Sequence, residues 1–153
     1  MRCGKLIDES LINAYRLAKY IVTYEDEEYR LQVGSTSEFV DRMLHQQNIK
    51  TAYFITPENP FNCTVSDQEN SLRHKRFRKE IDKRQYFYLA GYGTDEAEKW
   101  PKESSYLIFT DDESAMQNLA ARFGQNGLLK TAYKTPTQLL LLAPMHHIQS
   151  NDF

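Results

Sequence analysis

Residues 51–61 read TAYFITPENPF, and this stretch decides how the chain is organised. Its first half, 51–55, is short and rich in aromatic and β-branched residues, which predicts a buried central strand. Its second half contains Pro57 and Pro60, whose rings forbid a helix and impose a defined loop. We therefore expect a core strand that runs directly into a shaped loop.

Helical and strand patterns alternate on both sides of this stretch. A first helix is predicted to begin at the N-cap Asp8, and a second from a capping box of Ser35 and Glu38. Between them, apolar residues alternate with period two on either side of an acidic turn, which predicts a β-hairpin. The remaining predicted elements are a helix over 67–84, strands over 85–91 and 106–109, a helix from 111 or 112 to 124, and strands over 128–133 and 138–142.

This order predicts an α/β (α+β) fold with one domain over residues 1–143. We expect a mixed β-sheet of about six or seven strands with about four helices packed on it. Residues 144–153 are polar, and we expect them to form a frayed C-terminal tail.

The composition of the chain argues against several classes of protein. The chain has 153 residues, of which 41% are hydrophobic, and 10 Tyr with 8 Phe predict an aromatic core. A net charge of −2 gives no bulk attraction to nucleic acid or to an anionic membrane. No apolar run is long enough to span a membrane, and the N-terminus lacks the pattern of a signal peptide. Cys3 and Cys63 are far apart in sequence, which favours two free thiols in a reducing cytoplasm.

The helix over 67–84 carries the most informative polar residues. At 100° per residue, Asn70 and Arg73 continue the stripe of Phe77 and Ile81 towards the helix N-terminus. Together with Asn59 they can form a polar pocket suited to an anion. They can equally hold the proline loop in place by hydrogen bonds, which is the commoner use of such residues.

Two further side chains are candidates for a site. Glu103 follows a Trp-Pro pair, and a carboxylate beside Trp can have a raised pKa and act as a general acid or base; otherwise it is an exposed strand end. Gln125 can donate its amide to a ligand or serve as a turn residue. Gly91 and Gly93 lack the third glycine of a dinucleotide fingerprint, and an acidic loop follows them, so we expect a turn there.

Several sources of chemistry are missing from the sequence. His45, His74, His146 and His147 have no spacing typical of metal ligands, so we expect no metal. No cofactor motif or nucleophile motif occurs. Cys63 is interpreted as a buried inert thiol. Whether the protein is an enzyme stays open, with Glu103 as the weak catalytic candidate.

Short motifs in a consistent order resemble the bacterial family labelled domain of unknown function 3293. Near the N-terminus the resemblance lies in Leu11-Ile12-x-Ala14-Tyr15. The motifs that follow are Asn59-Pro60-Phe61, Ser66-x-x-Glu69-Asn70-x-x-Arg73, Gly91 and Gly93, Trp100-Pro101-x-Glu103-Ser104, and Arg122-Phe123-Gly124-Gln125-Asn126. The resemblance covers roughly residues 11–142. It implies a stand-alone bacterial cytosolic protein with no known activity, and it favours Asn59, Asn70, Arg73, Glu103 and Gln125 as the defining residues. It also implies that Pro57 and Glu58 vary.

Two functions compete. The first is a domain that binds a small polar or anionic ligand through those five residues, either for binding alone or for catalysis. The second is a protein- or nucleic-acid-binding regulatory module that uses the basic helix 67–84. Its basic residues are interleaved with Glu80 and Asp82, which makes nucleic acid the less favoured partner. A homo-oligomer through a sheet edge is also compatible with the tyrosine-rich strands.

Overall fold

The computed structural model describes residues 7–142. Cys3, His146, His147 and the expected tail over 144–153 lie outside these residues. The helices are α1 (Glu9–Leu17), α2 (Glu38–Gln47), α3 (Asp67–Lys83) and α4 (Glu113–Arg122). The strands are β1 (Lys19–Tyr24), β2 (Glu27–Leu31), β3 (Thr51–Ile55), β4 (Phe87–Thr94), β5 (Glu103–Phe109), β6 (Gly127–Ala132) and β7 (Thr135–Leu141).

The seven strands form one sheet in the order β2-β1-β4-β5-β3-β6-β7. Every neighbouring pair of these strands is antiparallel. Within residues 7–142, the only parallel pairing is an isolated bridge between Val33 and Thr137. The sequence predicted a mixed sheet, and the structure shows a sheet whose strand pairs are all antiparallel. Around this bridge, Gly34 N donates to Thr137 O (2.8 Å) and Thr137 N donates to Ser35 O (2.9 Å). The sheet therefore curls until the chain after β2 meets β7, and the class is α+β.

The central strands of the curled sheet are buried on both faces. Period-two alternation sends Phe54 and Leu107 to the inner face, where they pack with α2. Tyr53 and Ile108, their sequence neighbours, pack on the outer face with apolar residues of α3 and α4. Because β3 lies between β5 and β6 and is buried on both faces, the prediction of a central strand over 51–55 is confirmed.

The helix and hairpin signals are mostly confirmed. Asp8 caps α1 by accepting from Leu11 N at 3.0 Å. The hairpin of β1 and β2 closes through Glu25 and Asp26, both with positive φ, as two-residue hairpin turns require. The predicted cap of α2 was wrong by two residues: Ser37, not Ser35, accepts from Val40 N. The reason is tertiary, since the backbone of Ser35 is already paired with Thr137.

Two other expectations need correction. Gly91 and Gly93 do not form a turn but lie inside β4, because their segment pairs with β1 on one side and β5 on the other. Cys63 is disulfide-bonded, so the expectation of a free, inert thiol at this position was wrong. Within residues 7–142, no helix is both long and apolar enough to cross a membrane.

Gly124 is the position where backbone shape constrains the fold most tightly. Its φ is +72°, and a Cβ there would lie 2.7 Å from Pro60 Cβ. Gly34 has φ +89° with open space around it.

We expect Gly34→Ala to lower the free energy of unfolding by about 1 kcal/mol through backbone strain alone. Gly124→Ala should cost about 1–3 kcal/mol more through steric overlap, measured by urea unfolding. Equal losses would contradict tight packing of the proline loop on α4.

Candidate functional site

A cavity of about 430 Å³ lies at one end of the curled sheet. Inner-face residues of six strands line it together with α1, the loop that follows β3, and the loop between β4 and β5. Its walls combine aromatic rings with a few polar groups, among them Tyr15, Tyr20, Phe54, Asn59, Trp100 and Glu103. Such a volume and lining are typical of small-molecule sites, which often occur in the mouths of barrel-like sheets.

A missing side chain opens this cavity. Tyr20 pairs with Gly93, and Gly93 pairs with Glu103, so the three residues form one row across β1, β4 and β5. Directly paired residues point to the same face of a sheet. Because Gly93 has no side chain, space remains between the ring of Tyr20 and the carboxylate of Glu103. A Cβ at Gly93 would lie 3.7 Å from the Tyr20 ring, in ordinary van der Waals contact and without overlap.

The inner face of β5 changes from polar to apolar along its length. Alternation places Glu103, Ser105, Leu107 and Phe109 on the same face. Leu107 and Phe109 belong to the core beneath α2. Glu103 and Ser105 continue the same row beyond that core and line the cavity. The strand that anchors the core thus delivers a carboxylate into the cavity.

The side-chain carboxylate of Glu103 accepts a single hydrogen bond from the described residues. Asn59 Nδ2 donates to Glu103 Oε2 at 2.7 Å. Among residues 7–142, the Oε1 atom has no hydrogen-bond partner and the carboxylate forms no ion pair. Burial raises the pKa of Glu103, the Asn59 hydrogen bond partly offsets this, and the nearby Glu58 raises the pKa further.

Asn59 is the hub that shapes the proline loop. It adopts a left-handed conformation with φ 50°, which Asn tolerates better than most residues. Its backbone N–H donates to Asn70 Oδ1, and its own Oδ1 accepts from Asn70 Nδ2, both at 3.1 Å. The same Oδ1 accepts from Val65 N at 3.1 Å. These bonds fix the Asn59 amide so that its Nδ2 faces Glu103.

Arg73 fastens the loop from the other side. Its Nε donates to Pro57 O at 2.6 Å, and its terminal guanidinium nitrogen donates to Phe123 O. The guanidinium also lies 5.6 Å from the centre of the Phe123 ring. Burial lowers the pKa of Arg73. Arg73 is not among the residues that line the cavity. Its contacts therefore match the loop-holding alternative that the sequence left open.

Gln125 forms a further hydrogen bond to the proline loop. Its Nε2 donates to Glu58 O at 2.8 Å and approaches Phe123 O at 3.3 Å. All five residues predicted from the sequence thus gather around the proline loop. Four of them line the cavity: Asn59, Asn70, Glu103 and Gln125.

A polar chain next to the loop was missed by the sequence analysis. Glu58 Oε2 lies 2.5 Å from His74 Nε2, and His74 Nδ1 lies 2.7 Å from the hydroxyl of Tyr106. Glu58 Oε2 also accepts from Ser104 N at 3.1 Å. His74 lies on the same face of α3 as Asn70 and Arg73. This helical spacing was the sequence signal that could have identified it. The chain binds the loop to α3 and β5, so Glu58 has a structural role here although the resemblance implies that it varies.

Polar groups near α1 were also missed. Tyr15 OH donates to Asn62 Oδ1 at 3.3 Å, and Tyr20 OH donates to Tyr15 O at 2.5 Å. Asn126 is 3% exposed, and neither atom of its amide has a partner among the described residues. Its amide lies close enough to lower the pKa of Tyr15, although burial raises that pKa overall. Nothing local in the sequence connects residues 15, 62 and 126.

The loop between β4 and β5 shapes the rim of the cavity. Trp100 N donates to Asp95 Oδ1 at 2.8 Å, and Thr94 Oγ1 donates to Trp100 O at 2.9 Å. These bonds hold Trp100 at the cavity while leaving it 43% exposed. In the part of the chain that is described, no group of three or more His, Cys, Asp or Glu side chains is arranged to hold a metal ion.

Replacing Arg73 tests its structural contacts. Arg73→Ala removes charge-assisted bonds to two carbonyls, so we expect the free energy of unfolding to fall by about 2–3 kcal/mol. Arg76→Ala, on an exposed side of the same helix, should change it by less than about 0.5 kcal/mol. Urea unfolding measures both. Similar small losses for the two variants would show that Arg73 does not hold the loop.

The raised pKa of Glu103 predicts a pH dependence of stability. Folded protein binds the Glu103 proton more tightly than unfolded protein, so stability falls as pH rises from the ordinary glutamate pKa through the raised one. Glu103→Gln keeps an acceptor for Asn59 but cannot ionise. We expect the stability of the variant not to fall over this pH range, and to exceed that of wild type at higher pH. Thermal unfolding measured against pH tests this. Parallel profiles for the two proteins would contradict the raised pKa of Glu103.

Comparison with known proteins agrees with the motifs. Residues 55–128 match the family described as "Protein of unknown function (DUF3293)". No curated protein and no solved structure matches the chain. The matched segment runs from the end of β3 to the start of β6 and contains all five residues that the resemblance favoured. The match over residues 55–128 thus supports the resemblance to the DUF3293 family of unknown function.

Proposed function

We propose that this domain binds a small polar molecule in the cavity at the end of its curled sheet. The observation that carries the proposal is the carboxylate of Glu103, which faces the cavity with one oxygen unpartnered by the described residues. A ligand that donates a hydrogen bond to this oxygen would gain a charge-assisted bond, which is stronger than a bond between neutral groups.

The shape of the site supports a preformed pocket. The hydrogen bonds of Asn59 and Asn70 hold the loop without filling the cavity. The aromatic rings of Tyr20, Phe54 and Trp100 supply apolar surface beside the polar end. A rigid pocket with both kinds of surface reduces the entropy lost on binding. The ligand we propose therefore has an apolar body and a polar group.

The same geometry supports a catalytic version of this proposal. A carboxylate whose pKa burial raises, inside a cavity, is suited to accept or return a proton. Asn59 Nδ2 orients that carboxylate. Glu103 is therefore the residue through which proton transfer to or from a bound molecule would pass.

The anionic ligand expected from the sequence relied on Arg73. That guanidinium donates to the carbonyls of Pro57 and Phe123. An anion in the cavity would instead have to bind near Lys102, whose amine lies 4.3 Å from the centre of the Tyr92 ring. Anions thus belong among the test compounds, with weaker support than neutral or cationic donors.

A second function is supported by the surface of α3. Lys75, Lys79 and Lys83 recur every four residues and are exposed, with Arg76 beside them. This stripe suits an acidic partner. Binding of a labelled DNA duplex that weakens steeply with salt, and is lost when the three lysines become Gln, would support it.

The bacterial origin and cytoplasmic location implied by sequence remain part of this proposal. The disulfide bond at Cys63 weakens one reason for the location, because disulfides are rare in reducing compartments.

Filling the cavity tests the ligand proposal. Gly93→Leu places a side chain in the space beside Glu103, whereas Ala90→Leu adds the same bulk to an exposed position of β4. We expect members of a panel of small amines, alcohols, sugars and carboxylates to raise the melting temperature of wild type and Ala90→Leu, because they bind only folded protein. Gly93→Leu should show no rise. A panel without effect on wild type, or a rise that survives in Gly93→Leu, would overturn the proposal.

A further inference from the structure

We propose that the ligand of this cavity is a small organic cation, such as a protonated amine, whose charge pairs with the carboxylate of Glu103 and whose carbon body packs on the aromatic walls. This inference rests on the proposed function and specifies the chemical class of its ligand.

The charges that line the cavity have an acidic excess. Among the lining residues described, the carboxylates are those of Glu58, Asp67 and Glu103, and the single basic side chain is that of Lys102. Opposite charge raises the local concentration of a ligand and favours its binding. The Lys102 amine lies over the Tyr92 ring, so its position does not neutralise Glu103.

Glu103 has the strongest need for a counter-charge. Glu58 Oε2 already contacts His74 and the backbone of Ser104. Asp67 lies exposed in the first turn of α3, where the helix N-terminus favours an acid. Glu103 receives one amide hydrogen bond and no ion pair among the described residues. A cation bound in the cavity would supply the counter-charge that residues 7–142 do not supply.

The aromatic residues suit a cation as well. Tyr15, Tyr20, Phe54 and Trp100 line the same cavity as Glu103. The faces of aromatic rings attract cations, and Trp does so most strongly. A carboxylate and several aromatic rings in one cavity are what an amine with an apolar body requires.

Neutral polar ligands fit these features less well. A neutral donor could bond to Glu103 Oε1, but it would leave the carboxylate charge unpaired in a partly buried site. An anion would add a like charge to a cavity that already carries three carboxylates. The cation is thus the ligand class that relieves the electrostatic cost of the site.

Three phenyl compounds of similar size test the charge. Benzylamine, benzyl alcohol and benzoate carry a positive, a neutral and a negative group on the same ring. We expect benzylamine to bind wild type at least about tenfold more tightly than the alcohol, a difference of about 1.4 kcal/mol. Glu103→Gln should remove this advantage and leave alcohol binding within about twofold, measured by calorimetry. Glu96→Gln, in the exposed loop between β4 and β5, is the matched control and should bind like wild type.

A pH series on wild type gives a readout without any variant. Benzylamine affinity should rise as Glu103 ionises, while alcohol affinity stays flat. The charged and titratable groups facing this site are Glu58, Asp67, Lys102, Tyr15 and Tyr20. Both tyrosine pKa values are raised by burial, so neither hydroxyl ionises in this window.

The outcomes separate the two proposals. In one outcome, benzyl alcohol or benzoate binds, Gly93→Leu abolishes this binding, and benzylamine has no advantage. This outcome would overturn the cation inference and leave the ligand-binding function standing. Absence of binding by all three and by the wider panel would overturn both. Benzylamine binding that Glu103→Gln does not weaken would also reject the inference.

Discussion

The structure around the cavity depends on the hydrogen bond from Asn59 Nδ2 to Glu103 Oε2, at 2.7 Å. It joins the proline loop after β3 to the first residue of β5, two parts of the chain 44 residues apart. Asn70 and Val65 fix the rest of the Asn59 side chain and backbone. One amide thereby sets both the path of the loop and the orientation of the carboxylate.

Different residues hold the loop and face the cavity. Arg73 and Gln125 bond to backbone carbonyls, which fastens the loop to α3 and to the end of α4. Glu103 faces the cavity with one carboxylate oxygen that has no hydrogen-bond partner among residues 7–142. Asn59 and Asn70 both hold the loop and line the cavity, whereas Arg73 holds the loop without lining the cavity.

Much of the fold was predictable because its signals are local. The aromatic and β-branched run at 51–55, the acidic hairpin turn and the cap at Asp8 all act within a few residues. Errors arose where a distant partner decides: Ser35 is paired with Thr137 and cannot cap α2, and Gly93 is paired on both sides within β4. The site residues came from one helix stripe and the motifs, but Tyr15, Asn62 and Asn126 meet only through the curl of the sheet.

An X-ray structure of the unliganded protein tests the central claim most directly. The account predicts Asn59 bonded to Glu103, Arg73 on the carbonyls of Pro57 and Phe123, and an open cavity beside Gly93. A structure in which Tyr20 or Trp100 fills that cavity, or in which Glu103 turns outward to pair with Lys102, would contradict it.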